Sequence, residues 1–304
     1  MQRFTRLKNL ALVVIISINS FSFGCQRSNV EVVTIKGSDT EVNLVQELAE
    51  RFMENDAESS LTITGGGSGF GIASLINRKT DIANSSRPLN GKEQQLIDKQ
   101  GFRVYPVIFA QDAIAVVVHP KTNITKLSLS DIGKIYRGEV KNWKEFGGSD
   151  TPISLYGRQS NSGTFVYFRE VIVKGEYDAT VKQMNGTAQI IEAVKQDAGS
   201  IGYVGIGYLI SKKEEVVNGL TPVSLIADGK LPISPLDKTA ILDGSYPLVR
   251  PLFQFTNGEP KGKSLQFLRY ELSEEGQQIV TSNGYFEINE LQKKANNELG
   301  IGLN

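Results

Sequence analysis

The sequence predicts an α/β fold with a largely parallel sheet, and two observations carry that reading. After about residue 30, short apolar and β-branched runs alternate with segments of helical periodicity, in repeated units of strand, turn and helix. The composition is that of an ordinary globular protein, 40% hydrophobic and 22% charged, and 304 residues suffice for one large domain or two smaller ones with their own cores.

Val30 to Ile35 reads as the first strand and Gly37-Ser38-Asp39-Thr40 as a turn. Residues 41–54 then place Val42, Val45, Leu48, Ala49 and Phe52 on one helical face. Leu61 to Thr64 is a second strand, followed by Gly65-Gly66-Gly67-Ser68-Gly69 and a helix marked by Ile72, Leu75 and Ile76. Asp81-Ile82-Ala83 is a short strand stopped at Ser85-Ser86-Arg87-Pro88, and Asn90 with Glu93 is a capping-box signature for a helix to Lys99.

Val104 to Phe109 and Ala113 to Val118 are adjacent β-rich runs broken at Gln111-Asp112, where a crossing between domains is expected. A second crossing is expected near Tyr246-Pro247-Leu248, before the apolar stretch Pro251 to Phe255. These crossings give a second domain at 111–248 and a discontinuous first domain formed by 31–110 and 249–304. The polar tail from Gln292 to Asn304 is expected to fray.

Lys plus Arg and Asp plus Glu each total 33, so nothing suggests a nucleic-acid surface. The N-terminus departs from that balance. Arg3, Arg6 and Lys8 precede the apolar run Leu10 to Ile18, which is too short to span a bilayer and reads as the core of a secretory signal peptide at 1–24. Taking away those three bases leaves 30 against 33 acids, a net charge of −3. Phe21-Ser22-Phe23-Gly24-Cys25 resembles a bacterial lipoprotein cleavage site, although Ser22 stands where leucine is usual. Cys25 is the only cysteine, which predicts a lipid anchor followed by a tether at 25–30 and leaves no intrachain disulfide or thiolate metal site. His119 is the only histidine and sits before Pro120 at a strand end, as a structural or surface residue would.

Four small clusters share one design: Gly37-Ser38-Asp39-Thr40, Gly65 to Gly71, Ser85-Ser86-Arg87, and Arg158 to Thr164. Each sets hydroxyl-bearing residues at or near a predicted strand end, usually with a helix to follow. The first turn of a helix offers unpaired N–H groups and the positive end of its dipole, glycine admits close approach, and serine and threonine add neutral donors. Several such ends converging can dehydrate a small tetrahedral anion without much formal positive charge. Taken singly, each of the first three is more often an ordinary cap or turn. The fourth is sharper, because Arg158 brings a planar fork suited to an oxyanion and Ser162-Gly163-Thr164 opens a helix containing Phe165, Val166 and Phe168.

In this order the motifs resemble the phosphate-binding proteins of phosphate ABC transporters, from about Val30 to about Gly284. The markers are Gly-Ser-Asp-Thr at 37–40, Gly-Gly-Gly-Ser-Gly-Phe-Gly-Ile at 65–72, Asp-Ile-Ala-Asn-Ser-Ser-Arg-Pro at 81–88, and Asp131-Ile132 with Tyr136, Gly138 and Trp143. Arg158 to Thr164 and Gly199-Ser200-Ile201-Gly202-Tyr203 complete the set. The resemblance implies two α/β domains joined by two hinge crossings, the periplasmic-binding-protein architecture, with inorganic phosphate in the cleft. By motif it implies Thr40, Ser68, Ser86, Arg158, Ser162, Gly163 and Thr164 as the ligand shell, with Ser38 and Asp39 as additions. Trp143 and Tyr136 are expected to pack within the second domain.

Some members of the family carry an aspartate where this chain has Ser86, so selectivity for phosphate over sulfate is inherited from the family, with Asp39 as an alternative acceptor. The resemblance further implies no catalytic residues, cofactor or metal, and a monomer delivering phosphate to permease and ATPase subunits. That places it in the cell envelope, periplasmic or on the outer face of the cytoplasmic membrane. The competing readings are a sulfate or molybdate binder, an exported phosphatase, and a surface sensor or adhesin on the same fold.

Overall fold

The computed structural model describes residues 30–210, 215–227 and 229–302. The expected signal peptide and Cys25 lie outside the described residues. Strand β1 (Glu31–Gly37) turns Val33, Ile35 and Gly37 inward at the two-residue period of a strand. Helix α1 (Val42–Asn55) buries Leu44, Val45, Leu48, Ala49 and Phe52. Leu44 takes the inward place expected of Val42, because the stripe 44, 45, 48, 49, 52 is the tighter one at 3.6 residues per turn and leaves Val42 at its edge. There follow β2 (Ser59–Thr64), α2 (Ser68–Ile76), β3 (Ile82–Ser85) and α3 (Gly91–Gln100). The capping box of α3 is formed: Glu93 N–H donates to Asn90 Oδ1 at 2.9 Å, and Asn90 N–H to Glu93 Oε2 at 2.8 Å.

The next strand is β4 (Val104–Val118), then β5 (Lys126–Ser128), α4 (Leu129–Tyr136), β6 (Ser154–Arg158) and α5 (Gly163–Phe168). After these come β7 (Lys182–Met184), α6 (Thr187–Gln196), β8 (Ser200–Gly205), β9 (Thr221–Pro222), β10 (Ser224–Ile226) and α7 (Lys238–Leu242). The chain closes with β11 (Val249–Asn257), α8 (Gly262–Leu272), α9 (Glu274–Ser282) and α10 (Glu290–Glu298).

The main sheet runs β2-β1-β3-β11-β4-β8-β6-β7, with β9 beside β4. Its two ends are parallel blocks, β2-β1-β3 and β8-β6-β7. The long strands β11 and β4 join them with antiparallel pairings. The expected break at Gln111-Asp112 does not occur. β4 is one strand of 15 residues, with Asp112 directly opposite Arg250 on β11. The polar residues stay in the ladder because each finds a partner there. Gln111 exchanges backbone hydrogen bonds with Phe286, and Asp112 pairs with Arg250 at 2.8 Å.

Two large apolar cores flank that point. Val107, Phe109 and Ala110 of β4 join Val33, Ile35, Leu44, Leu48, Leu252 and Phe267 in one. Ala113 to Val118 join Tyr136, Trp143, Phe168 and Tyr203 in the other. Trp143 Nε1 donates to Gly199 O at 2.9 Å and Tyr136 Oη to Tyr156 O at 3.0 Å, so both aromatic residues are packing elements with satisfied polar ends. His119 Nδ1 accepts from Lys121 N–H at 3.1 Å, capping a short turn.

Against expectation, the tail is ordered from Gln292 to Gly302. Asn289 and Gln292 form a second capping box for α10. Asn296, 1% exposed, brackets Ile108 by accepting from its N–H at 3.0 Å and donating to its carbonyl at 2.7 Å, and Ile301 is buried beside it. A polar composition hid these three anchors.

At the centre, Glu41 precedes α1 with its side chain fully buried and neither carboxyl oxygen hydrogen-bonded to protein. Burial pushes this carboxyl well above the usual range; Arg250 opposes the shift, and Asp112, Glu271 and Asp39 reinforce it. The folded state therefore holds a proton that the unfolded chain gives up near pH ~4.3, so Glu41 subtracts stability as pH rises above that value. Glu41→Gln keeps the shape without the charge. In thermal unfolding at a series of pH values, the variant is expected to gain progressively on the wild type as pH rises above about 4.3. A difference independent of pH would show that Glu41 is not held neutral.

Candidate oxyanion-binding site

Three chain segments of the first core meet one segment of the second. The turn after β1 brings Ser38, Asp39 and Thr40, the start of α2 brings Ser68, and the end of β3 brings Ser86. From the other side, the turn after β6 brings Arg158, Ser162, Gly163 and Thr164. Ser68 and Ser86 are 0% exposed, Thr40 and Arg158 1%, and Ser38, Ser162 and Thr164 2%, so all of these hydroxyls act in a dry environment.

Ser38 Oγ donates to Ser86 Oγ at 3.1 Å, and Ser86 lies 3.4 Å from Ser68 Oγ, which also accepts from Ser86 N–H at 3.1 Å. Thr40 and Thr164 Oγ1 are 2.9 Å apart, one from each core. Ser162 caps α5 by accepting from Phe165 N–H. Gly163 packs so closely that a Cβ there would come within 2.6 Å of Ser86 Oγ. The structure thus brings all nine sequence-predicted residues to one place, and Ser162 gives one lone pair to the helix cap while its O–H is left to donate.

Arg158 is held by its surroundings. Its N–H donates to Tyr203 Oη at 3.1 Å, Nη1 to Thr187 Oγ1 at 3.1 Å, and Nη2 to Asn185 O at 2.9 Å. Nη2 also meets Asp39 Oδ2 at 2.5 Å, while Asp39 Oδ1 accepts from Gly66 N–H at 2.9 Å. Asp39 therefore links the glycine run to the arginine across the two cores. Asn161 makes a second link, donating to Gly66 O and accepting from Gly69 N–H, both at 2.9 Å. Tyr208 Oη donates to Asp39 O at 2.7 Å and Tyr285 Oη donates to Thr40 O, fixing the first turn from below.

Arg87 is part of the third motif but turns away, forming a bidentate pair with Glu93 at 2.7 and 2.8 Å. Two further residues, Arg250 and Asp112, complete the site. Arg250 Nη2 donates to Thr164 Oγ1 at 3.0 Å and to Thr40 Oγ1 at 3.3 Å, and Asp112 accepts from Arg250 beneath them. Their signal was present in the sequence as one acid and one base set in otherwise apolar strands.

Each arginine of the site is matched by an aspartate, Arg158 by Asp39 and Arg250 by Asp112. The positive charges at the site are thus each balanced, and its other polar side chains, these aspartates apart, are neutral hydroxyls. Gly163→Ala is expected to displace the Ser68 and Ser86 hydroxyls while leaving the fold intact, weakening anion binding at least about tenfold, or ~1.4 kcal/mol, by calorimetry. Undiminished affinity in that variant would place the anion elsewhere.

A model of the PBP superfamily domain matches residues 26–275. The phosphate-binding protein PstS of Pseudomonas aeruginosa is 30% identical over 284 residues, covering 87% of this chain and 86% of that protein. The PstS of Borreliella burgdorferi is 29% identical over 294 residues, covering 93% and 99%. A Clostridium perfringens protein assigned as a phosphate ABC transporter substrate-binding protein, solved by crystallography with bound phosphate, superposes with a TM-score of 0.75 at 28% identity, covering 85% of this chain and 100% of that one. With the two-core α/β architecture and converging hydroxyl turns, these matches establish that the chain belongs to the PBP superfamily, among its PstS-type solute-binding proteins.

Proposed function

We propose that this protein binds inorganic phosphate between its two domains and delivers it to the permease and ATPase subunits of an ABC importer. The observation that carries the reading is the 2.9 Å approach of Thr40 and Thr164, two buried hydroxyls brought together from turns on opposite cores. Relatives of this chain are named for phosphate binding, which supports phosphate over sulfate or molybdate as the anion. Domain limits of 31–110 with 249–304, and 111–248, are consistent with the change of core along β4 at Gln111-Asp112.

The phosphate shell comprises Ser38, Asp39, Thr40, Ser68, Ser86, Arg158, Ser162, Gly163 and Thr164. Phosphate at neutral pH carries a proton and sulfate does not, so selectivity needs an acceptor. Ser86 offers only a neutral hydroxyl. Asp39 is the anionic acceptor of the set, and its oxygens retain lone pairs beyond those used by Gly66 and Arg158. Titration of phosphate against a large excess of sulfate is expected to leave the phosphate affinity unchanged. Displacement by sulfate at comparable concentration would contradict the assignment.

A binder rather than a phosphatase is supported by the engagement of the only histidine, which caps a turn instead of serving a serine. Among the described residues, no helix is long and apolar enough to cross a membrane. Membrane attachment is assigned to a lipid on Cys25 after removal of residues 1–24, in keeping with an exported envelope protein. Cys25→Ser is expected to move the protein from the membrane fraction to the soluble one with its phosphate affinity intact. Continued partition with membranes would exclude Cys25 as the anchor.

A further inference from the structure

Beneath the hydroxyl shell, Arg250 and Asp112 lie opposite one another on β11 and β4, the two strands that pass between the cores. They are 2% and 0% exposed. Asp112 Oδ2 accepts from Arg250 Nε at 3.1 Å and from Nη2 at 2.8 Å, and Asp112 Oδ1 accepts from Ile206 N–H at 3.2 Å. The guanidinium then reaches upward. Nη1 donates to Ser86 O at 3.1 Å, and Nη2 to Thr164 Oγ1 at 3.0 Å and Thr40 Oγ1 at 3.3 Å. One planar group therefore touches three of the turns that form the site and the neighbouring crossing strand.

We propose that Arg250 is a positioning residue of the anion site, held by Asp112 and acting through the hydroxyls of Thr40 and Thr164. This deepens, and rests on, the reading of the site as a phosphate site. The chemistry follows from what a guanidinium can do. It donates and never accepts. One Nη2 N–H goes to Asp112, and the other is shared between the two threonine oxygens, occupying an acceptor position that they hold in common and leaving their hydroxyl hydrogens to point elsewhere. One threonine can donate to the other across their 2.9 Å separation, and an anion above them lets both hydrogens turn toward it. Arg250 thus makes donors of two hydroxyls that come from opposite cores. Ser86 is fixed by the same group through its carbonyl. Asp112 keeps the guanidinium in plane by taking two of its five N–H groups and by anchoring itself to the start of the segment after β8. Lysine would keep the charge, but its compact ammonium cannot span Asp112, Ser86 O and both threonines.

The test is a double-mutant cycle read by phosphate calorimetry on the full mature chain, with Arg250→Lys, Thr164→Val and the two combined. Arg250→Lys is expected to weaken phosphate binding on the order of tenfold, while the phosphate-free variant still unfolds in one cooperative transition. Thr164→Val alone is expected to weaken binding by a similar factor. The combination is expected to lose much less than the product of the two factors, because both changes remove one arrangement. Losses that multiply would show that Arg250 does not act through that hydroxyl, and wild-type affinity in Arg250→Lys would show that charge alone suffices.

A second variant guards against misfolding caused by unbalanced charge. The neutral pair Asp112→Asn with Arg250→Gln is expected to fold and to bind phosphate at least as weakly as Arg250→Lys, whereas full affinity would reduce the ion pair to a structural role. Failure of the wild type itself to bind phosphate would overturn the phosphate reading, and is told apart from these outcomes by the first titration.

Discussion

The constraint on which the structure depends is the dehydration of a small anion inside a protein that offers it no net charge. Both arginines of the site are neutralised by aspartates before any anion arrives. Burying an ion costs several kcal/mol unless it is fully hydrogen-bonded, so the site has to supply a dense shell of donors. On the proposed reading it does so with hydroxyls drawn from four separate turns. A neutral shell of that kind works only if all four turns are held in register, and much of the architecture can be read as serving that need.

The register comes from the two crossing strands. β4 and β11 run antiparallel through both cores, and their one buried ion pair lies where the cores exchange. Removing one member of a buried pair leaves an uncompensated charge and costs about 3–5 kcal/mol, so Asp112 and Arg250 are confined to each other. Glu41 adds a third acid to the same dry region, and its burial keeps the carboxyl well above its ordinary range. Ionised, it would tip this cluster toward net negative charge directly beneath an anion site.

Much of this was legible in the sequence. Periodicity located the main strands and helices of the first half, and the four hydroxyl and glycine clusters marked the turns that meet at the site. The clusters could be read because the chemistry of each is local, with a glycine, a cap residue and a helix start adjacent in the chain. The Asp112–Arg250 pair could not be read this way. Its members are 138 residues apart, and only the register of β4 on β11 sets them opposite one another. Asp112 read as a break for the same reason, since an acid in an apolar run looks like an interruption until its partner is known. The C-terminal tail misled in the opposite direction. Its polar composition suggested fraying, whereas Asn296 uses that polarity to satisfy both backbone groups of Ile108.

The most direct test of the central claim is a crystal structure of the protein grown with phosphate. The account predicts one phosphate whose oxygens lie about 3 Å from hydroxyls of Thr40, Ser68, Ser86 and Thr164 and from the Arg158 guanidinium, contacted from both cores at once. A phosphate bound outside that shell, or held by residues of one core alone, would contradict it.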